Sequence, residues 1–212
     1  MKGNIEKFGW WMKKRFSQLW TWVKNGIFRD KNYWWIFLAA GVVLLQFVSR
    51  KYMNGDDTSY HVANIQAIIE TWKSGHFDLK IFPFIGNNLG YGAGIFYPQL
   101  FHVMAAGLGM IFSPITSNLA WAMKAAHFLG MFLSGVTMYI LMKNVTGKKN
   151  VALITAVIYM MMPYRMVEIL VRDAQAEELL FVFLPMVVLG LKNLIEKNYR
   201  GFYGWFIVGY AG

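Results

Sequence analysis

Two carboxylates stand side by side at Asp56 and Asp57, and His61 follows the second by four residues. If a helix begins here, its first turn puts Asp57 and His61 on one face. A carboxylate beside an imidazole suits a general base or a metal ligand. The plainer alternative is that Asp57 or Thr58 caps the helix. A second concentration of charge is PYRMVEILVRDAQAEE, residues 163–178. On a helix, Arg165, Glu168, Arg172 and Gln175 share one face, and Asp173 and Glu177 form a pair on another. Arginine can hold a phosphate through two parallel hydrogen bonds. Two arginines beside carboxylates next to a membrane are expensive to bury and usually functional; a solvated, salt-bridged connection is the alternative. Lys124 and His127 lie three apart in an apolar stretch. There Lys124 either snorkels to the surface or meets a phosphate in a cavity. His76 and His102 show no metal-ligand spacing.

Between the two charged segments runs a stretch rich in glycine and aromatics, from Phe82 to Pro98, with Tyr91 and Tyr97 inside it. Gly90, Gly92 and Gly94 lack the preceding strand and following helix of a dinucleotide fingerprint. Aromatic rings mixed with asparagine suit a sugar or a lipid headgroup, and an interfacial aromatic belt is the alternative. Before it, His61, Ile65, Ile68 and Trp72 recur at helical spacing, and Ser74-Gly75 ends that helix.

The elements that must position these residues are membrane elements. Of 212 residues 57% are hydrophobic and only 15% charged, against roughly 25% charged in ordinary globular domains. That balance excludes disorder, collagen and coiled coil, and the apolar residues are concentrated in long runs. The chain has no cysteine, so disulfides, thiolate metal sites and a cysteine nucleophile are excluded. The net charge of +10 reads as topology and lipid contact before nucleic-acid binding. Residues 1–32 hold eight lysines and arginines against Glu6 and Asp30, and Ile5, Phe8, Met12, Phe16, Leu19, Val23 and Ile27 form an apolar stripe. This predicts an amphipathic helix on the cytoplasmic leaflet rather than a signal peptide. Spans are expected at 33–49, 118–142, 151–163 and 178–194, with a last run from Phe202 that is cut at Gly212. That cut suggests a fragment of a longer protein.

Residues 96–112 pose a conflict. If they cross, the connections carrying Lys143, Lys148 and Lys149 and then Lys192, Lys197 and Arg200 both lie outside. If they do not, both are cytoplasmic, as positive charge favours. The expectation is therefore an interfacial or re-entrant helix, a large external loop at 50–117 and a second external loop at 164–177. Asn144-Val145-Thr146 matches a glycosylation acceptor pattern but falls on the cytoplasmic side.

The order of these motifs resembles the GT-C superfamily of membrane glycosyltransferases, and most closely the YfhO-like, or 6-pyruvoyl-tetrahydropterin synthase-related, bacterial membrane proteins. Asp57-x-x-x-His61 matches the family's first-loop element. Gly90, Tyr91, Phe96, Tyr97 and Pro98 match its G-Y-G…FYPPL stretch, with Gln99 in place of the second proline. Arg172, Ala176 and Glu177 match its R-x-x-x-A-E run. The resemblance spans roughly residues 33–190 and implies an all-α polytopic bundle over 33–212 that contains interfacial helices. It also implies transfer of a sugar from a polyprenyl-phosphate donor to a cell-envelope acceptor at the external face. Asp57 would be the base, Asp56 its alternative, and His61 would orient it. Arg172, with Arg165 or Lys124, would neutralise the departing phosphate. Tyr91 and Tyr97 would line the substrate surface. Asp57 and Glu177 would hold a divalent cation (magnesium or manganese) if one takes part.

The competing reading is a non-catalytic polytopic protein, an assembly partner or transporter module. A transporter more often breaks its spans near the bilayer centre, whereas here the polar groups gather in the loops. A nucleic-acid binder is disfavoured because the positive charge follows the cytoplasmic connections.

Overall fold

In the computed structural model, residues 30–45, 55–82, 89–112, 119–196 and 208–210 are described. The amphipathic helix expected over 1–32 falls almost wholly outside them, as do the end of the first expected span and most of the run after Phe202. Among the described residues every element is helical, apart from one bridge pairing Phe82 with Tyr91. The helices are α1 (Asn32–Leu44), α2 (Thr58–Lys73), α3 (Leu100–Phe112), α4 (Leu119–Thr146), α5 (Lys149–Met160), α6 (Pro163–Val167, continued by a π-helical turn Glu168–Arg172) and α7 (Gln175–Glu196). A single helical turn, Ala93–Phe96, precedes α3.

Two of these, α4 and α7, are each long and apolar enough to cross a membrane. A third span results if α5 and α6, bent by 41° at their junction, count as one. The bend has a local cause. Pro163 fixes the backbone at the first position of α6 and drives Met162 before it into an extended conformation (φ −55°, ψ 134°).

Helix α4 is the axis of the fold. At 28 residues it is ~42 Å long, and the other helices divide it between two apolar clusters. In one, Tyr33, Ile36 and Ala40 of α1 meet Met131 and Tyr139 of α4, Ala152, Ala156 and Met160 of α5, and Ile169. In the other, Ile65 and Ile68 of α2 meet Phe101 and Ala105 of α3, Met123 and Ala126 of α4, and Leu179 and Val182 of α7. Small residues allow this close approach, as they do between helices in lipid. Ala122, Ala126, Gly130 and Ser134 recur every four residues on α4, and all four are buried. A Cβ on Gly135 would stand 2.6 Å from Met160 Sδ and 2.7 Å from Ile36 Cγ2, so only glycine fits that crossing.

Helix α7 carries Pro185 in its interior. A proline there leaves the carbonyl four residues earlier without its helical donor. That carbonyl belongs to Phe181, and the Tyr159 hydroxyl of α5 donates to it at 3.0 Å. The neighbouring helix thus supplies the bond that proline removes.

The two ends of α4 are chemically distinct. At its C-terminal end Asp30 accepts from the Tyr139 hydroxyl at 2.8 Å and Lys143 Nζ at 2.9 Å, with Lys149 Nζ at 3.6 Å. Burial alone would raise this carboxyl, but the bonds from Lys143, Tyr139 and Asn32 hold it below its ordinary value. The chain before α1 and the lysine-bearing α4–α5 turn therefore share one end. Helix α3 shares the other. Phe101 packs on His127 with ring centroids 4.8 Å apart, while Gly109 lies beside Leu119 and Ala122. Its 13 residues run antiparallel to the opening turns of α4, and ~20 Å of helix does not cover the bundle's length.

Candidate functional site

The two segments singled out by charge meet at the α3 end of the bundle. Asp56 N–H donates to the Val171 carbonyl at 3.0 Å and Asp57 N–H to the Arg172 carbonyl at 3.2 Å. Asp56 and Asp57 thus dock through their backbone on the end of α6, and their side chains stay exposed. The expected cap is absent. Asp57 occupies the N-cap position of α2 without a side-chain cap bond. Thr58 Oγ1 instead accepts from Gly55 N–H at 3.0 Å and donates to Asp173 Oδ2 at 2.6 Å.

Segment 164–177, expected as an external connection, is helical over most of its length. Helix continues through Arg172, and the π-turn ends at Asp173 in the left-handed region (φ 58°, ψ 42°), which Asp tolerates better than most residues. The break separates what one continuous helix would have paired. Asp173 turns inward and Glu177 outward. Arg172 Nη1 donates to both oxygens of Glu168, at 2.8 and 2.7 Å, and Arg172 Nη2 lies 4.0 Å from Glu177 Oε1. Single-turn π-bulges occur often at functional sites.

Tyr97 is the centre of the open face. Its hydroxyl accepts from Ala176 N–H at 3.3 Å, and its ring lies 5.6 Å from that of Tyr60 and 5.6 Å from that of His61. Burial first, and then Glu177, Tyr60 and Asp57 around it, push the phenol up to about 12. Asp57, Glu177, Arg172 and Tyr97 are thus brought to one face. Tyr91, about half exposed, sits close by, near enough to Tyr60 to raise its phenol after burial has done so.

Three predicted residues lie elsewhere. Arg165 is fully buried inside the bundle, bonded to Ser134 Oγ and set over the Phe181 ring, away from any headgroup at the surface. Lys124 stands over the Trp121 ring at 5.0 Å. His61 faces inward rather than to Asp57: its Nδ1 pairs with His102 Nε2 at 2.8 Å. Burial lowers His61, against the opposing influence of Asp173 and Asp57, and burial with His61 beside it pushes His102 down to about 3. The pair is therefore neutral near pH 7.

Beneath the open face lies a buried polar core whose members His127, Asp173 and Gln175 the sequence named separately, without Glu178 and without their meeting. His127 Nδ1 pairs with Glu178 Oε2, and its Nε2 lies 3.3 Å from Asp173 Oδ1. Gln175 Nε2 donates to Asp173 Oδ1 at 3.3 Å. All four are buried. Burial would raise the Asp173 carboxyl; the hydrogen bond and charge of His127 and the Thr58 hydroxyl outweigh it and hold it below the ordinary carboxylate value. Formal charges balance when His127 and Arg165 are positive and Asp173 and Glu178 negative, as buried charges require. The available signal was an ionisable residue inside an apolar run; it marks His127 but cannot say which carboxylates turn toward it.

Among the described residues no three His, Asp or Glu side chains converge as a metal-binding group. Asp57 and Glu177 remain as two oxygen donors on one face, and hydrated magnesium accepts as few as one or two carboxylates. No protein-family model, curated protein or solved structure matches the chain.

Proposed function

We propose that this chain belongs to a polytopic membrane glycosyltransferase of the GT-C kind, with the α3 end external, the lysine-bearing end cytoplasmic, and a polyprenyl-phosphate sugar as donor. The observation that carries the reading is the docking of the Asp56–Asp57 turn on the end of α6, with Asp57, Tyr97, Glu177 and Arg172 left on one open face. An acid, a cation and an aromatic platform at the rim of a membrane bundle suit a lipid-linked anion and a hydroxyl acceptor.

In this mechanism Asp57 takes the proton of the acceptor hydroxyl, with Asp56 beside it as the alternative base. The acceptor oxygen attacks the anomeric carbon and inverts it. The bond from that carbon to the lipid phosphate breaks, and its electron pair leaves on the phosphate. Arg172, half exposed beside Glu168, neutralises the charge that develops there. Tyr97 and Tyr91 offer ring faces to the sugar. A divalent cation, when bound, would sit on Asp57 and Glu177 and add positive charge near the phosphate.

The test is transfer from a panel of radiolabelled polyprenyl-phosphate sugars in membranes holding the full chain, compared with Asp57→Ala at matched expression. General-base loss costs about 10²–10⁴-fold, so the variant should lose transfer by that factor. Equal transfer by both would remove Asp57 from the chemistry. No transfer by either folded protein would favour a non-catalytic assembly partner.

A further inference from the structure

We propose that Thr58 and Asp173 are positioning residues whose buried hydrogen bond fixes the Asp56–Asp57 turn against Arg172. The inference rests on the reading above, in which Asp57 and Arg172 face one reaction.

Every bond that docks the turn leaves the two candidate bases free. Asp56 and Asp57 use their backbone N–H groups, toward the Val171 and Arg172 carbonyls, and keep their carboxylates exposed. Among the described residues, the side chain that joins the docking is the next, Thr58, which is buried and reaches Asp173 Oδ2 at 2.6 Å. The same hydroxyl accepts from Gly55 N–H at 3.0 Å, so one group closes the turn and ties it down. The fit is close as well as bonded. A Cβ on Gly55 would stand 2.5 Å from Asp173 Cβ and 3.2 Å from the Arg172 carbonyl carbon, so a side chain there would force the segments apart.

The far side of the contact is equally held. Asp173 is fully buried in a left-handed conformation that aims its carboxylate back into the bundle. Its other oxygen meets His127 and Gln175, and His127 is in turn held by Glu178. Thr58 is thus anchored to α4 and α7 through a residue one step along the chain from Arg172. Misplacement of reacting groups by ~1 Å can cost on the order of 100-fold in rate. A base and a phosphate-binding cation on two different segments need such a tie.

The chain has no cysteine, so Ser59→Cys and Val171→Cys, both at exposed positions, accept spin labels at those two sites alone. In the full chain reconstituted in liposomes, the labels should report one narrow separation. Thr58→Val keeps the side-chain shape without the hydroxyl; it should broaden that separation and lower kcat on the order of 100-fold, with the donor KM unchanged. Thr58→Ser should restore both, and Gly55→Ala should mimic Thr58→Val by steric force. A label separation indifferent to Thr58→Val overturns the tie while leaving the transferase reading intact. A broadened separation with unchanged kcat overturns the positioning role. A parent chain that transfers no sugar overturns the transferase reading and the positioning role together, whatever the label distances show.

Discussion

Removing the His127 imidazole would leave Asp173 and Glu178 buried with no cation between them. Truncating one partner of a buried ion pair costs about 3–5 kcal/mol, because the charge left behind stays desolvated. His127→Ala should therefore lower thermal stability in detergent sharply, and adding Glu178→Gln should recover part of the loss. The His61–His102 pair gives the molecule a pH dependence of definite sign. Both histidines titrate lower in the fold than their ordinary value of 6.5. The unfolded chain thus binds more protons below that value, and stability falls with pH once it drops below about 6.5, down to about 3. Asp173, also lowered, loses its contribution only further down, below its ordinary 3.8. A pH series of unfolding temperatures should show the first loss, and His102→Asn should flatten it.

The helices owe their placement to backbone chemistry as much as to apolar burial. Pro163 bends α5 away from α6, Gly135 lets α4 approach α1 and α5, and Pro185 leaves a carbonyl that Tyr159 satisfies. The last makes a clean double-mutant test. Tyr159→Phe should cost about 1 kcal/mol by stranding the Phe181 carbonyl. In a Pro185→Ala background the helix N–H takes over that carbonyl, and the same substitution should cost much less. Equal costs in both backgrounds would mean that the bond contributes nothing. Helices α2 and α3 flank only the opening turns of α4, which is why the open face forms there and not along the bundle.

At the scale of the molecule, two polar centres stand sixteen residues apart on α4, at His127 and Lys143, ~24 Å along its axis. That is a little less than the ~30 Å hydrocarbon thickness. The separation predicts opposite exposure of the two ends in a membrane. Asp78→Cys and Lys148→Cys, in a chain with no cysteine of its own, should label from opposite sides of sealed vesicles. Labelling from the same side would mean that residues 96–112 cross and that the proposed orientation is wrong.

Apolar runs, their lengths and the lysines between them are properties of the sequence alone, because transfer free energy and charge bias act on each segment separately. They marked the long apolar helices, while Asp57, Tyr97, Arg172 and Glu177 were marked by their residue chemistry and by the family resemblance. Three things were decided only by the tertiary structure. Residues 164–172 are helical, because a π-turn and a left-handed Asp173 end the helix later than composition suggests. Arg165 is withdrawn into the bundle and His61 turns to His102, because the packing of α4 against α7 and of α2 against α3 determines which face of each helix is inside. The His127–Asp173–Glu178 core joins groups 46 and 51 residues apart in the chain, and spacing along a sequence carries no information about carboxylates that meet an imidazole only when separate helices pack.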